Sequence, residues 1–252
     1  MKKTELPAPT PDLAAAAAAA DAALGCGIGT LNERTLHATL KYWLQPDVAL
    51  HEVAVGGCIA DIFDGAHATE VQTGGCFPLQ KKLRKLLSLN PVTVVIPLPH
   101  AKWVRWVDPQ SGEVGDPHRA PRLGRLSEAL PQLYWLERFW QEGGAPHPLT
   151  VRVLLLDMVE YRLQDGWGNA GKRGAHRLDR RPLKLCEDVT LTGFADAAAL
   201  LPDLPAEFTT PEFVKLFGHR GVAMRYALRF LERGGLIFRA GTRGRAILYR
   251  RK

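Results

Sequence analysis

Apolar positions along this chain repeat with two periods, and the alternation between them predicts the elements. Leu36, Leu40, Trp43 and Leu44 recur at helical spacing behind a cap at Thr30 or Asn32, and Pro46 ends that helix. His51–Val55 reads as a strand. Residues 56–65 and 68–73 then form two short apolar runs around an Asp64-Gly65 turn, the pattern of a β-hairpin. Gly74-Gly75 breaks the second run. From Pro78 to Leu89 the period returns to that of a helix, with Leu79, Leu83, Leu86 and Leu87 apolar and Lys81, Lys82, Arg84 and Lys85 between them. Asn90-Pro91 stops it. The unbroken β-branched run Val92–Leu98 predicts a central buried strand, and Lys102–Val107 alternates as a further one. The order helix, strand, strand, strand, helix, strand, strand predicts an α/β fold with a mixed sheet flanked by helices, the helix between Gln72 and Val92 being its crossover.

Beyond residue 110 the pattern loosens. Residues 115–125 read as a basic, proline-bearing loop, 126–139 as a helix, and 149–162 as a strand or pair of strands. The glycine-rich, basic stretch 165–181 reads as a mobile loop. Near the end the grammar changes again. Thr209-Thr210-Pro211-Glu212 has the form of a capping box with proline near the first helical position. A second helix starts near His219 or Arg220 and closes at Gly234-Gly235. Two short strands, Leu236–Arg239 and Ala246–Arg250, follow around a glycine- and arginine-rich turn. Helix, turn, helix and β-wing is the winged-helix order. The domain reading is a flexible Ala/Pro-rich tail at 1–25, an α/β domain at 26–165, a basic connecting segment at 166–204 and a winged helix at 205–252.

Composition changes this picture little. Of 252 residues, 46% are hydrophobic, enough for a core, and the formal charge of +7 is compatible with nucleic acid without requiring it. No stretch approaches the roughly 20 apolar residues of a membrane span, so no membrane association is expected. Ala14–Ala20 is too weakly hydrophobic for a signal sequence, so a cytoplasmic location is expected. Four cysteines show no zinc-site spacing and read as free thiols.

The chemistry concentrates in the hairpin. Asp61 sits late on its first strand; Glu70 and Gln72, two apart on the second, share a face. An aspartate and a glutamate beside a sheet are the oxygen donors that Mg²⁺ or Mn²⁺ takes, leaving positions for water and phosphate. Glu33, on the preceding helix, is a third candidate carboxylate.

Glu33, Asp61 and Glu70-Val71-Gln72, followed by a basic helix, resemble the PD-(D/E)XK, restriction-endonuclease-like nucleases, closest to variants ending in Glu-x-Gln. The resemblance covers roughly residues 28–110. It implies a restriction-endonuclease-like sheet, metal ligation by Asp61 and Glu70 with Glu33, and hydrolysis of DNA phosphodiesters. The lysine that orients the attacking water in this family is replaced by Gln72. In some members a lysine of the following helix takes over that role, which brings forward Lys81 or Lys82, with Lys82 the candidate site residue.

DNA contacts are expected at Arg119, Arg122 and Arg125 in the first basic loop, at Arg220, Arg225 and Arg229 on the second helix of the winged motif, and at Arg243 and Arg245 in its wing. Cutting both strands usually takes two copies of a site, so a homodimer is a further expectation. The competing reading is an inactive nuclease fold acting as a DNA-binding or regulatory protein.

Overall fold

In order along the chain, the helices and strands are α1 (Pro11–Leu24), α2 (Thr35–Leu44), β1 (His51–Val55), β2 (Cys58–Phe63), β3 (Ala68–Val71), α3 (Gln80–Leu86), β4 (Val92–Val107), β5 (His118–Arg119), α4 (Leu130–Leu136), β6 (Leu149–Gly166), β7 (Gly174–Leu191), β8 (Glu207–Thr209), α5 (Thr210–Phe217), α6 (Gly221–Arg233), β9 (Ile237–Arg243) and β10 (Ala246–Arg251). This computed structural model describes residues 5–24, 35–141, 143–166, 174–201 and 203–252. The fold is mixed α/β. A seven-stranded sheet runs β1-β2-β3-β4-β6-β7, with β5 paired to β4, and a three-stranded sheet runs β8-β10-β9.

The β2–β3 hairpin turns as its Asp-Gly pair dictates. Asp64 Oδ1 accepts from the backbone N–H groups of Ala66 and His67 at 2.9 and 2.7 Å, and Gly65 takes φ +96°. Chain reversal then proceeds through α3. Strand β3 pairs parallel to β4, Glu70 against Val94 and Val71 against Val95, which is the crossover predicted from the sequence. Val92, Val94, Val95 and Ile96 of the β-branched run are buried as expected. It continues as one 16-residue strand through Pro97 and Pro99, rather than as two strands.

The chain falls into two compact units: 1–51 with 99–125 and 154–188, and 52–98 with 126–153 and 189–252. That division corrects the expected consecutive domains. In the second unit one core holds Leu83 and Leu86 of α3, Leu130, Leu133 and Leu136 of α4, and Phe208, Phe213, Phe217 and Phe230 of the C-terminal segment. Residues 205–252 therefore share a core with the hairpin and α4. The capping box at α5 is present, with Thr209 N–H donating to Glu212 Oε2 at 2.6 Å. Gly218 ends that helix at φ +77°, a conformation glycine adopts without strain.

Two further expectations fail in the first unit. The expected tail is a folded helix: Leu13, Ala16 and Ala20 are buried and α1 packs on α2. Alanine's strong helix propensity and small side chain permit close packing that its weak hydrophobicity does not advertise. The expected mobile loop and connector are, from Gly174 to Leu191, the long strand β7, whose Leu178, Asp179, Arg180 and Leu183 are buried. Arg181 is paired rather than solvated: it donates to both oxygens of Asp21 at 2.7 and 3.0 Å. Residues 167–173 lie outside the described residues.

Candidate functional site

In the second unit, the β2–β3 ladder pairs Phe63 with Ala68 and Ile62 with Thr69, so the next step sets Asp61 opposite Glu70. Opposed residues of an antiparallel pair project from one face. Here the carboxylates take over the ladder itself. Asp61 N–H donates to Glu70 Oε1 at 3.3 Å, and Val71 N–H donates to Asp61 Oδ2 at 2.7 Å. Each acid thus spends one oxygen on the backbone and keeps the other for the site.

Those remaining oxygens meet one cation. Lys82 Nζ lies 2.5 Å from Glu70 Oε2 and 3.9 Å from Asp61 Oδ1. Helical phase selects Lys82 over Lys81: it is three residues after buried Leu79 and four before buried Leu86, on the inward side of α3, while Lys81 is exposed. Asp61 and Glu70 are buried, and Lys82 is only partly so. Burial first, and the charge of Asp61 second, push the Glu70 carboxyl up to about 7; the ion pair with Lys82 only partly offsets them. Among the described residues, two buried acids share the Lys82 ammonium, and the Glu70 carboxyl stays raised despite it.

The donor set fits a hard divalent cation. Asp61 Oδ1 and Glu70 Oε2 converge on one point already held by a cation, and both donors are the carboxylate oxygens such ions take. The expected partners divide. Gln72 follows β3, and its amide donates to the Gly75 carbonyl at 2.9 Å, so that side chain is committed to its own turn. Glu33 lies outside the described residues.

The arginines divide as well. Arg119, Arg122 and Arg125 are exposed in the first unit, Arg119 stacking its guanidinium 5.8 Å from the centre of the Trp103 ring. Trp103 itself is buried in that unit's core. In the second unit Arg220, Arg243 and Arg245 line one groove of about 780 Å³ together with Thr210, Pro211, Val214 and Ile247. Arg225 and Arg229, one turn apart on α6, are exposed. Arg243 is shared with Glu207 and Glu212 at 3.8 and 3.5 Å. Arg233, Arg239 and Arg250 pair with Glu137, Glu232 and Glu207.

Sequence reasoning missed a second buried acid. Glu160 of β6, in the first unit, faces Lys102 Nζ at 3.4 Å and is also bonded by Arg162 Nε. The alternation of β4 and the Glu160–Arg162 spacing carried part of that signal, but the pairing of β4 with β6 did not follow from either.

A family profile described as a domain of unknown function, DUF8091, matches residues 34–192, well over half of the chain. The chain belongs to that family. It is also 28% identical over 234 residues to an uncharacterized protein of Treponema pallidum (strain Nichols), an alignment covering 89% of this chain and 88% of the relative. No solved structure matches. The DUF8091 match spans β1 to β7, so the hairpin, α3 and the Glu160 cluster all lie within it. No helix among the described residues is long and apolar enough to cross a membrane.

Proposed function

We propose that this DUF8091 chain is a metal-dependent DNA endonuclease of the restriction-endonuclease-like type, positioned on DNA by a C-terminal winged helix. One observation carries the reading: Lys82, arriving from α3, sits between Asp61 and Glu70 and supplies the cation that Gln72 cannot. The element order α2-β1-β2-β3-α3-β4, with β3 and β4 parallel across the helix, supports the same type of core. The order α5-α6-β9-β10, with β9 and β10 antiparallel, supports the winged-helix reading.

Asp61 and Glu70 would hold a Mg²⁺ or Mn²⁺ ion, whose chemistry is to neutralise the scissile phosphate and the leaving oxygen. Lys82, moved off the carboxylates, orients the attacking water by a hydrogen bond and adds positive charge beside the phosphate. Arg220, Arg225, Arg229 and Arg245, which have no ion-pair partner among the described residues, bind the DNA backbone, and Arg243 joins them at the cost of its contacts with Glu207 and Glu212.

Plasmid nicking with Mg²⁺ or Mn²⁺ tests the reading. Asp61→Ala, Glu70→Ala and Lys82→Ala are each expected to slow cleavage on the order of 100-fold or more. Equal nicking by wild type and all three variants overturns the catalytic assignment. Without metal, binding of duplex DNA should fall with salt at a slope of about −0.9 per phosphate neutralised. Arg220→Ala, Arg225→Ala, Arg229→Ala and Arg245→Ala should each reduce that slope by about 1, and Arg239→Ala by less. The commitment of Gln72 to Gly75 favours a second reading, a DNA-binding protein on an inactive nuclease fold; salt-dependent binding without cleavage would select it.

A further inference from the structure

We propose that His100, Asp157 and Cys186 form a binding site for a zinc-class divalent cation, with water from solvent as the fourth ligand. The three residues stand on β4, β6 and β7, which are consecutive neighbours in the sheet, so each strand delivers one ligand. Their ligand atoms all lie within 4.8 Å of one another. Zinc bonds of about 2.0–2.3 Å to nitrogen, oxygen and thiolate sulfur place tetrahedral ligands roughly 3.3–3.8 Å apart. The cluster therefore needs only small adjustments to close on an ion.

The contacts within it are those of a ligand set held together by protons. His100 Nδ1 and Asp157 Oδ1 are 2.8 Å apart, shorter than a tetrahedral edge, and this shared-proton contact opens slightly when an ion replaces the proton. Ala101 N–H donates to the same Asp157 oxygen at 2.9 Å and fixes the carboxylate from behind, as outer-shell partners do in metal sites. Cys186 Sγ donates to the Lys184 carbonyl at 4.0 Å, a weak contact, and burial first, then the charge of Asp157, pushes its thiol up. The three side chains present sulfur, nitrogen and oxygen to a common centre. All three side chains are half-buried, which leaves a path for water on the open side.

The donor types set the ion. Thiolate and imidazole favour zinc and its borderline relatives over Mg²⁺ or Ca²⁺, which take oxygen. The Asp61–Glu70 pair offers oxygen alone, so the two sites are separable by the metal they prefer.

Titration of the full-length, metal-stripped protein with Co²⁺ tests the proposal. One equivalent should produce intense tetrahedral d–d bands and a thiolate-to-cobalt charge-transfer band, both displaced by Zn²⁺. Cys186→Ala should abolish the charge-transfer band even though Cys26, Cys58 and Cys76 remain. His100→Ala and Asp157→Asn should weaken Co²⁺ binding by more than about 100-fold, the upper end for losses of outer-shell partners. Asp61→Asn should leave the spectrum unchanged. Far-UV circular dichroism confirms that each variant is folded. Absence of a thiolate band in the folded wild-type protein, or its persistence in Cys186→Ala, overturns the site.

Discussion

Glu70 and Glu160 are buried to the same depth, each 3% exposed, yet their carboxyls are shifted in opposite directions. Burial raises both. At Glu160 the charges of Lys102, Arg162 and Arg177 together outweigh it and hold the carboxyl below its usual range. At Glu70, among the described residues, Lys82 is shared with Asp61, whose charge adds to the burial, and the carboxyl rises to about 7. Among the described residues, one glutamate is held by three cations and the other by Lys82 alone. A buried acid held low by three cations is a structural tie, whereas one raised by burial and a second acid favours an added positive charge. This difference separates the two clusters more sharply than burial or residue type does.

The comparison is broken most directly at Glu160. Glu160→Gln removes the anion and leaves Lys102, Arg162 and Arg177 crowded without it, so a loss of about 3–5 kcal/mol at pH 7 is expected in urea denaturation. Because the folded carboxyl is lowered, its contribution is present above the unfolded value of 4.5 and fades as pH falls through the folded one. The variant and wild type should therefore converge in acid. An unchanged midpoint at pH 7 would show that the three cations are adequately solvated without the carboxylate.

Glu70→Gln should act with the opposite sign. The folded protein keeps a proton on Glu70 up to about 7 while the unfolded chain releases it near 4.5. The stability associated with that proton is complete below 4.5 and is lost as pH rises through 7. In the absence of divalent metal, the wild type should lose stability across that window. Glu70→Gln should be more stable by about 2 kcal/mol at pH 8 and equal at pH 4. A slope that persists in Glu70→Gln would assign the titration to another group.

Much of the hairpin was legible because its determinants are local. Period-two apolar runs, the Asp64-Gly65 turn and the single step from Ile62 to Asp61 are enough to oppose two carboxylates. The capping box at Thr209 and Glu212 is equally local. Lys82 was half legible: the following helix was evident, and helical phase against Leu79 and Leu86 selects Lys82 from its neighbours. What stayed hidden depends on partners far away in sequence. β7 carries Asp179, Arg180 and Arg181, which look like a solvated loop until Asp21, 160 residues earlier, appears beside Arg181. The meeting of His100, Asp157 and Cys186 depends on register across three strands, which no short-range pattern encodes. α1 was hidden for another reason, since alanine packs better than its hydrophobicity suggests.

The smallest predicted effect is the most discriminating between the two glutamates. If the raised Glu70 carboxyl marks a site that takes a cation, Mg²⁺ should stabilise the folded protein by binding there, and at about tenfold excess over its dissociation constant the gain is about 1.4 kcal/mol. At pH 8, thermal unfolding with and without Mg²⁺ should show this gain in the wild type and lose it in Glu70→Gln and Asp61→Asn. Glu160→Gln, destabilised as it is, should keep the full increment, because its cluster already holds three cations and offers Mg²⁺ no anionic pair. A Mg²⁺ increment that survives in Glu70→Gln but vanishes in Glu160→Gln would reverse the assignment. The hairpin acids would then be the structural tie, and the metal would belong with Glu160.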